Sequence, residues 1–259
     1  MKIHLSIILM MTQLGHQQAM DIKNEDNLDS GKYLVASIQL IKALQMGEDT
    51  APYTQLLEAA TLVELTQELD SDEKKLAFWL NVYNGYIQLR LNANPSDYED
   101  RREFFKKEQI SIAGEKMSFA DIEHGIIRRS QFEYFLGYVR NPFVSSYKKK
   151  LRPKRTEYRV HFALNCGAKS CPPVRAYTAT NLNSELEDST LKFLNTFTTY
   201  DAENNGVLTT PLFSWFRGDF GGKSGTKKIL KKYGLIPSVE VELSYDSYDW
   251  TLYLDNYVK

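Results

Sequence analysis

Two cysteines in 259 residues, Cys166 and Cys171, are too few for a disulfide framework, so the fold must rest on a hydrophobic core, for which this length is ample. Neither sign of charge dominates. The 32 Lys and Arg stand against 33 Asp and Glu, a net charge of −1. Without a basic surplus the 16 Tyr and 13 Phe read as core rather than as a base-stacking surface, and nucleic acid is not an expected partner. Beyond the first dozen residues no run is apolar enough to cross a bilayer, which excludes stable membrane insertion of the processed chain. Residues 221–225 are glycine-rich but lack phosphate-loop spacing ahead of Lys and Ser/Thr. Residues 201–206 begin like a calcium loop, yet Leu212 stands where the twelfth-position carboxylate is needed. Internal repeats and low-complexity linkers are missing too, and no cofactor is expected.

The N-terminus differs from the rest of the chain. Lys2 precedes the short apolar run Ile3, Leu5, Ile7, Ile8, Leu9, Met10 and Met11, with Gly15 and Ala19 beyond it, the pattern of a secretory signal peptide over residues 1–19. A flexible leader over 20–29 and one globular domain over 30–259 are expected, in a protein exported to the periplasm or beyond. In such an oxidising compartment thiols tend to pair. Cys166 and Cys171 therefore either close a small disulfide loop or divide into one working thiol and one bystander.

Apolar spacing predicts a helix from Ser30 on Leu34, Ile38, Ile41 and Leu44, then a second helix over 53–69. Asp70 with Glu73 forms a possible capping box for a long helix reaching Asn92, whose middle, FWLNVYNGYIQL, is apolar nearly all round and so should be the central buried helix. Asn81 and Asn84 lie within it as buried amides that need partners. A hairpin over 109–118 leads to a helix over 119–130, on which His124 shares a stripe with Asp121 and Arg128 while Glu123 addresses another element. Residues 158–164 alternate like a strand with one buried face, ending in the Asn165–Cys166–Gly167 turn. That would present Cys166 at a sheet edge. The basic stretch ahead of it, Lys148 to Arg155, could draw an anionic ligand. Helices over 181–197, 214–220 and 226–233 and strands over 207–212 and 238–245 complete an α+β fold, a helical N-terminal half packed on a small, mostly antiparallel sheet.

Five blocks, FWLNVYNGY (78–86), ADIEHGIIR (120–128), HFALNCGAKSCPPVRAYTA (161–179), SWFRGDFGG (214–222) and YDWTL (248–252), resemble successive motifs of the DUF547 family, in the family's order and over roughly residues 60–256. The resemblance carries no settled activity. It implies that the position of Cys166 keeps its cysteine where that of Cys171 often does not, which favours Cys166 as the working thiol. It also implies that the pair Glu123–His124, often His161, and Arg175 with Tyr177 belong to the family pattern. Bacterial members are often exported.

A thiol enzyme needs a thiolate, a base and a group to orient that base. The constellation expected here is Cys166 as nucleophile, His124 as base ahead of His161, which a regular strand would point to the opposite face from Cys166, Glu123 or Asp121 as orienter, and backbone N–H groups after Cys166 as an oxyanion hole, with Asn84 as a further donor to substrate. This would make the chain a hydrolase or acyltransferase of peptidase or amidase type, on a fold compatible with papain-like or transglutaminase-like architecture. Two alternatives stand beside it. One is a non-catalytic module holding a peptide or small acid, with Arg175 on a carboxylate. The other is a zinc hydrolase drawing on His124, His161, Glu123 and Cys166, although their spacing matches no compact ligand motif.

Overall fold

The computed structural model describes residues 28–258. The segment with the signal-peptide pattern, and residues 20–27 of the leader, lie outside them.

The larger part of the fold packs around helix α4 (Asp72–Ala93). Its start is fixed one residue later than the spacing predicts, because the hydroxyl of Ser71 accepts from the Lys74 N–H at 3.2 Å while Asp70 pairs with the Lys74 ammonium instead. Asp72 and Glu73 then sit favourably at the positive end of the helix dipole. Pro95, just beyond Asn94, prevents continuation. From Leu76 to Gln88 every side chain is buried, as the all-round apolar pattern requires.

Helix α1 (Lys32–Met46) lies against α4 with Leu34, Ile38 and Ile41 inward. The two helices approach closely because Gly85 has no Cβ, which would meet Leu40 at 2.9 Å. The single helix expected over 53–69 is two, α2 (Ala51–Glu58) and α3 (Leu62–Glu68). Thr61 divides them: its side chain and that of Glu64 form a reciprocal capping box that starts a new helix. After α5 (Arg101–Lys106), strands β1 (Ile110–Ile112) and β2 (Glu115–Met117) make the expected hairpin, turning through Ala113 and Gly114, both at positive φ.

Two segments depart from the expected periods in ways that matter for the site. The helix at 119–130 is a wide π-helical turn (Asp121–Ile127), in which the Arg128 N–H reaches back to the Glu123 carbonyl at 2.7 Å. The strand at 158–164 is a short 3-10 helix (Tyr158–Phe162). Only Arg159 of its middle residues faces outward, to Glu157 and Glu187, while Val160, His161 and Phe162 are all buried, so the burial does not alternate.

Helices α6 (Ser146–Leu151) and α7 (Leu182–Thr196) follow in order around this segment. Strands β3 (Thr199–Asp201), β4 (Gly206–Thr209) and β5 (Glu242–Tyr245) form a mixed sheet, β3 and β4 antiparallel, β4 and β5 parallel. Helices α8 (Leu212–Trp215) and α9 (Gly222–Lys232) lie between β4 and β5 in the chain. The class is α+β. The core has two parts. A large one surrounds α4, and a smaller one joins Phe162, Phe193, Phe213, Phe220 and Leu230 to the mixed sheet. Residues 160–164 belong to both, Val160 and Ala163 to the first and Phe162 to the second, so this stretch is the seam. No helix among the described residues is long and apolar enough to cross a membrane.

Candidate functional site

A cavity of about 390 Å³ opens at the seam, within the range of small-ligand sites. Its wall brings together four of the residues singled out from sequence: Glu123, His124, His161 and Cys166. Asn84 and Arg175 are elsewhere. Asn84 donates to the Ala163 carbonyl at 2.9 Å and accepts from the Asn165 N–H at 2.8 Å, so both ends of its amide hold the chain on either side of Leu164. Arg175 is ion-paired with Asp188 on α7.

The polar floor of the cavity is organised by a group that no sequence pattern singled out. Asp219 accepts from Arg128 Nε at 2.7 Å and from His161 Nε2 at 2.8 Å, on the same oxygen. The other end of the Arg128 guanidinium lies 2.7 Å from His124 Nδ1. Arg128 thus stands between the two imidazoles, with its guanidinium 4.4 Å over the Phe216 ring and His161 stacked on the same ring at 4.2 Å. Gly137 lets the neighbouring loop close over Asp219: it sits at φ 83°, and a Cβ there would collide with the Asp219 carboxylate.

This chain of contacts fixes proton positions. A guanidinium has donors only, so His124 Nδ1 must accept, and the neutral ring then carries its proton on Nε2. His161 is the opposite case: Nε2 donates to the Asp219 carboxylate, which leaves Nδ1 as the unprotonated, basic nitrogen. Burial lowers the pKa of both rings; Arg128 pushes each the same way, against the pull of Glu123 on His124 and of Asp219 on His161. For Asp219, burial works upward, but the bonds from His161 and Arg128 outweigh it and hold the carboxyl below its usual range. Glu123 accepts from the Tyr83 hydroxyl of α4 at 3.2 Å, and its other oxygen is 3.6 Å from His124 Nδ1. Asp121 turns away to Ser118 and Lys148.

Cys166 and Cys171 are joined as a disulfide, with no free cysteine among the described residues. The turn that carries them is built by Asn165, which accepts from the Gly167 N–H at 2.9 Å and donates to the Pro172 carbonyl at 2.7 Å. Gly167 supplies the positive φ, 84°. The first N–H after Cys166 expected to serve as an oxyanion hole, that of Gly167, is engaged within the turn by Asn165, and the N–H of Cys166 itself by Cys171 Sγ at 3.0 Å. Residues 249–253 strap the turn from outside, Lys169 N–H to Thr251 O and Tyr253 N–H to Gly167 O, both 2.8 Å. Tyr248 places its hydroxyl 3.6 Å from Cys166 Sγ and 3.3 Å from Cys171 Sγ.

Across the cavity Trp215, Tyr248 and Trp250 form an aromatic wall with ring centroids 4.6–5.7 Å apart. Arg101, Arg102 and Lys106 from α5 line it as well. No group of three His, Cys, Asp or Glu among the described residues is placed to hold a metal ion.

The family model described as "Protein of unknown function, DUF547" matches residues 66–194, which include Glu123, His124, Arg128, His161 and both cysteines. Residues 66–194 belong to the DUF547 family. No curated protein and no solved structure matches the chain, so the papain-like or transglutaminase-like analogy has no structural neighbour behind it. The match stops before Asp219 and before the aromatic wall, so Leu212, Trp215, Phe216, Tyr248 and Trp250 of the cavity lining come from sequence outside the matched DUF547 segment. Only the block SWFRGDFGG pointed to Asp219 from sequence, and nothing in it set that carboxylate apart.

Proposed function

We propose that the cavity is an acyl-transfer site, hydrolytic or transferring to an acceptor, worked by the Cys166 thiol after the Cys166–Cys171 bond is reduced by an external dithiol. What supports the reading is the placement of Cys166, the Asp219-oriented His161 and the Nε2–H of His124 around one cavity. His161 Nδ1 takes the thiol proton, and the thiolate adds to a carbonyl carbon. His124 Nε2–H donates to the developing oxyanion, a role that suits a ring kept neutral. The leaving amine or alkoxide recovers the proton from His161, and water or an acceptor then resolves the thioester. His161 thus replaces His124 as the base, and Asp219 replaces Glu123 as its orienter.

The test uses Cys171→Ser, which leaves Cys166 as the only thiol. Its alkylation should show an apparent pKa below the ordinary value of about 8.5, and it should release a burst of nitrophenol from an acyl nitrophenyl ester. His161→Asn should abolish both. An ordinary thiol pKa with no burst would overturn the reading.

The closed disulfide favours a second reading, a binding site for a small acid or peptide carboxylate. Arg101 and Arg102 form no ion pair with a described carboxylate and lie beside the aromatic wall, Arg101 over the Trp250 ring at 5.2 Å. Under that reading carboxylate ligands bind the oxidised protein and Cys166→Ala equally well.

A further inference from the structure

Between Arg128 and Arg155 the chain carries nine Lys and Arg against one carboxylate, Glu133, in a protein whose net charge is −1. Two of the nine are ion-paired, Arg128 with Asp219 and Lys148 with Asp121. The other seven form no salt bridge with any described residue. Three of these belong to the chain around Ser130 and Gln131: Arg152 donates to the Ser130 hydroxyl at 2.7 Å, Arg129 is the chain neighbour of Ser130, and Arg140 pairs through the backbone with Gln131. Arg129 Nε is buried without a hydrogen-bond partner. Lys149 and Lys150 are exposed on α6 nearby in the chain.

Alongside this charge, residues 132–143 hold aromatic side chains outward. Phe143 is 88 % exposed, Tyr134 67 %, Tyr138 59 % and Phe135 53 %. The exposure belongs to a built loop, not to a loose one: Phe132 N–H reaches Val139 O at 2.9 Å, Gly218 N–H reaches Leu136 O at 2.6 Å, and Asn141 N–H reaches Ser130 O at 2.7 Å. Exposed apolar groups bordered by unpaired cations mark an interaction surface.

We propose that this face docks on an anionic phospholipid bilayer, with the aromatic rings in the headgroup region and the unpaired Lys and Arg against the anionic headgroups. A soluble polyanion would answer the cations but leave the four rings in water; the bilayer interface takes both. Attachment is peripheral, by the loop and not by a spanning helix. It also bears on the cavity, because Lys106 and Glu133 line the cavity and Lys106 bonds the Tyr134 hydroxyl at the edge of this loop. The proposal does not depend on the chemistry inside the cavity.

Flotation of the full chain with vesicles tests it. Binding is expected to vesicles of phosphatidylcholine mixed with phosphatidylglycerol, not to phosphatidylcholine alone, and should weaken as salt rises. Each cation removed should lower affinity about fivefold, so Arg140→Gln, Lys149→Gln and Lys150→Gln together should lower it about a hundredfold. Phe143→Ser should lower it about tenfold, with far-UV circular dichroism unchanged in every variant. Failure to bind mixed vesicles at physiological ionic strength would overturn the proposal. So would undiminished binding by Phe143→Ser together with Tyr138→Ser, or displacement from vesicles by polyphosphate that those aromatic variants bind equally well.

Discussion

Protonating His124 would set a second cation 2.7 Å from Arg128, and protonating His161 would place a charge where the ring is 4 % exposed. Both costs fall on the folded state alone, so each ring holds a pKa below its unfolded value of about 6.5. The sign follows: between the depressed folded value and 6.5 the unfolded chain binds more protons, so this contribution is whole above about pH 6.5 and is lost as pH falls toward the folded value. Urea unfolding at about pH 7.5 and again at about pH 5.5 should therefore show lower stability at the acid end, by up to about 1.4 kcal/mol per pH unit for each ring that stays neutral. His124→Gln should reduce that slope. Paired carboxylates such as Asp219 and Asp121, held low in the fold, contribute their loss only below about pH 4, which keeps the two windows apart. Equal stability at the two pH values would remove the claim that both rings are neutral. At this scale the sequence carried part of the answer. The spacing of His124 and Arg128 made their contact legible even though the turn is wider than an α-helix, whereas Asp219 arrives from 91 residues further along the chain, beyond any local pattern.

Between elements, the central helix holds the segment 163–177 by two amides. Asn81 bonds both the N–H and the carbonyl of Tyr177, each at 2.8 Å, and Asn84 does the same for Asn165 and Ala163. These are backbone groups with no water to turn to, for Asn81, Asn84 and Tyr177 are fully buried. Asn81→Ala should leave two orphaned groups at about 1–3 kcal/mol each, a loss of about 2–6 kcal/mol in urea unfolding. A loss under about 0.5 kcal/mol, the scale of an ordinary surface change, would show that the latch contributes nothing. That two polar residues in an otherwise apolar helix must have buried partners was legible from composition alone; the partners were not. Alternation misled at 158–164 because a single outward Arg159 within a buried run imitates a period of two, and only the neighbours decide whether a strand has anything to pair with. Capping chemistry misplaced the start of α4 by one residue because Asp70 and Ser71 are both good caps, and the Lys74 N–H goes to Ser71 while Asp70 is drawn off by the Lys74 ammonium.

On the scale of the whole molecule, the disulfide lies at the seam of two cores, and this position bears on whether it is a staple or a device. Cys166 and Cys171 are five residues apart, and closing so short a loop stabilises by only about 2 kcal/mol in the chain-entropy account. The turn has other restraints that reduction leaves in place: the Asn165 bonds from within and the strap at 249–253 from without. Leu164 and Ala168 also remain packed in the larger core. Reduction by a dithiol, or replacement of both cysteines by serine, should therefore lower the urea unfolding free energy by no more than about 2 kcal/mol and leave far-UV circular dichroism unchanged. Since the sulfur of Cys166 borders the cavity while that of Cys171 is nearly buried, the reduced protein should also be alkylated first at Cys166. Unfolding on reduction, or first modification at Cys171, would make the bond a fold staple and would leave the acyl-transfer reading without a state in which to operate.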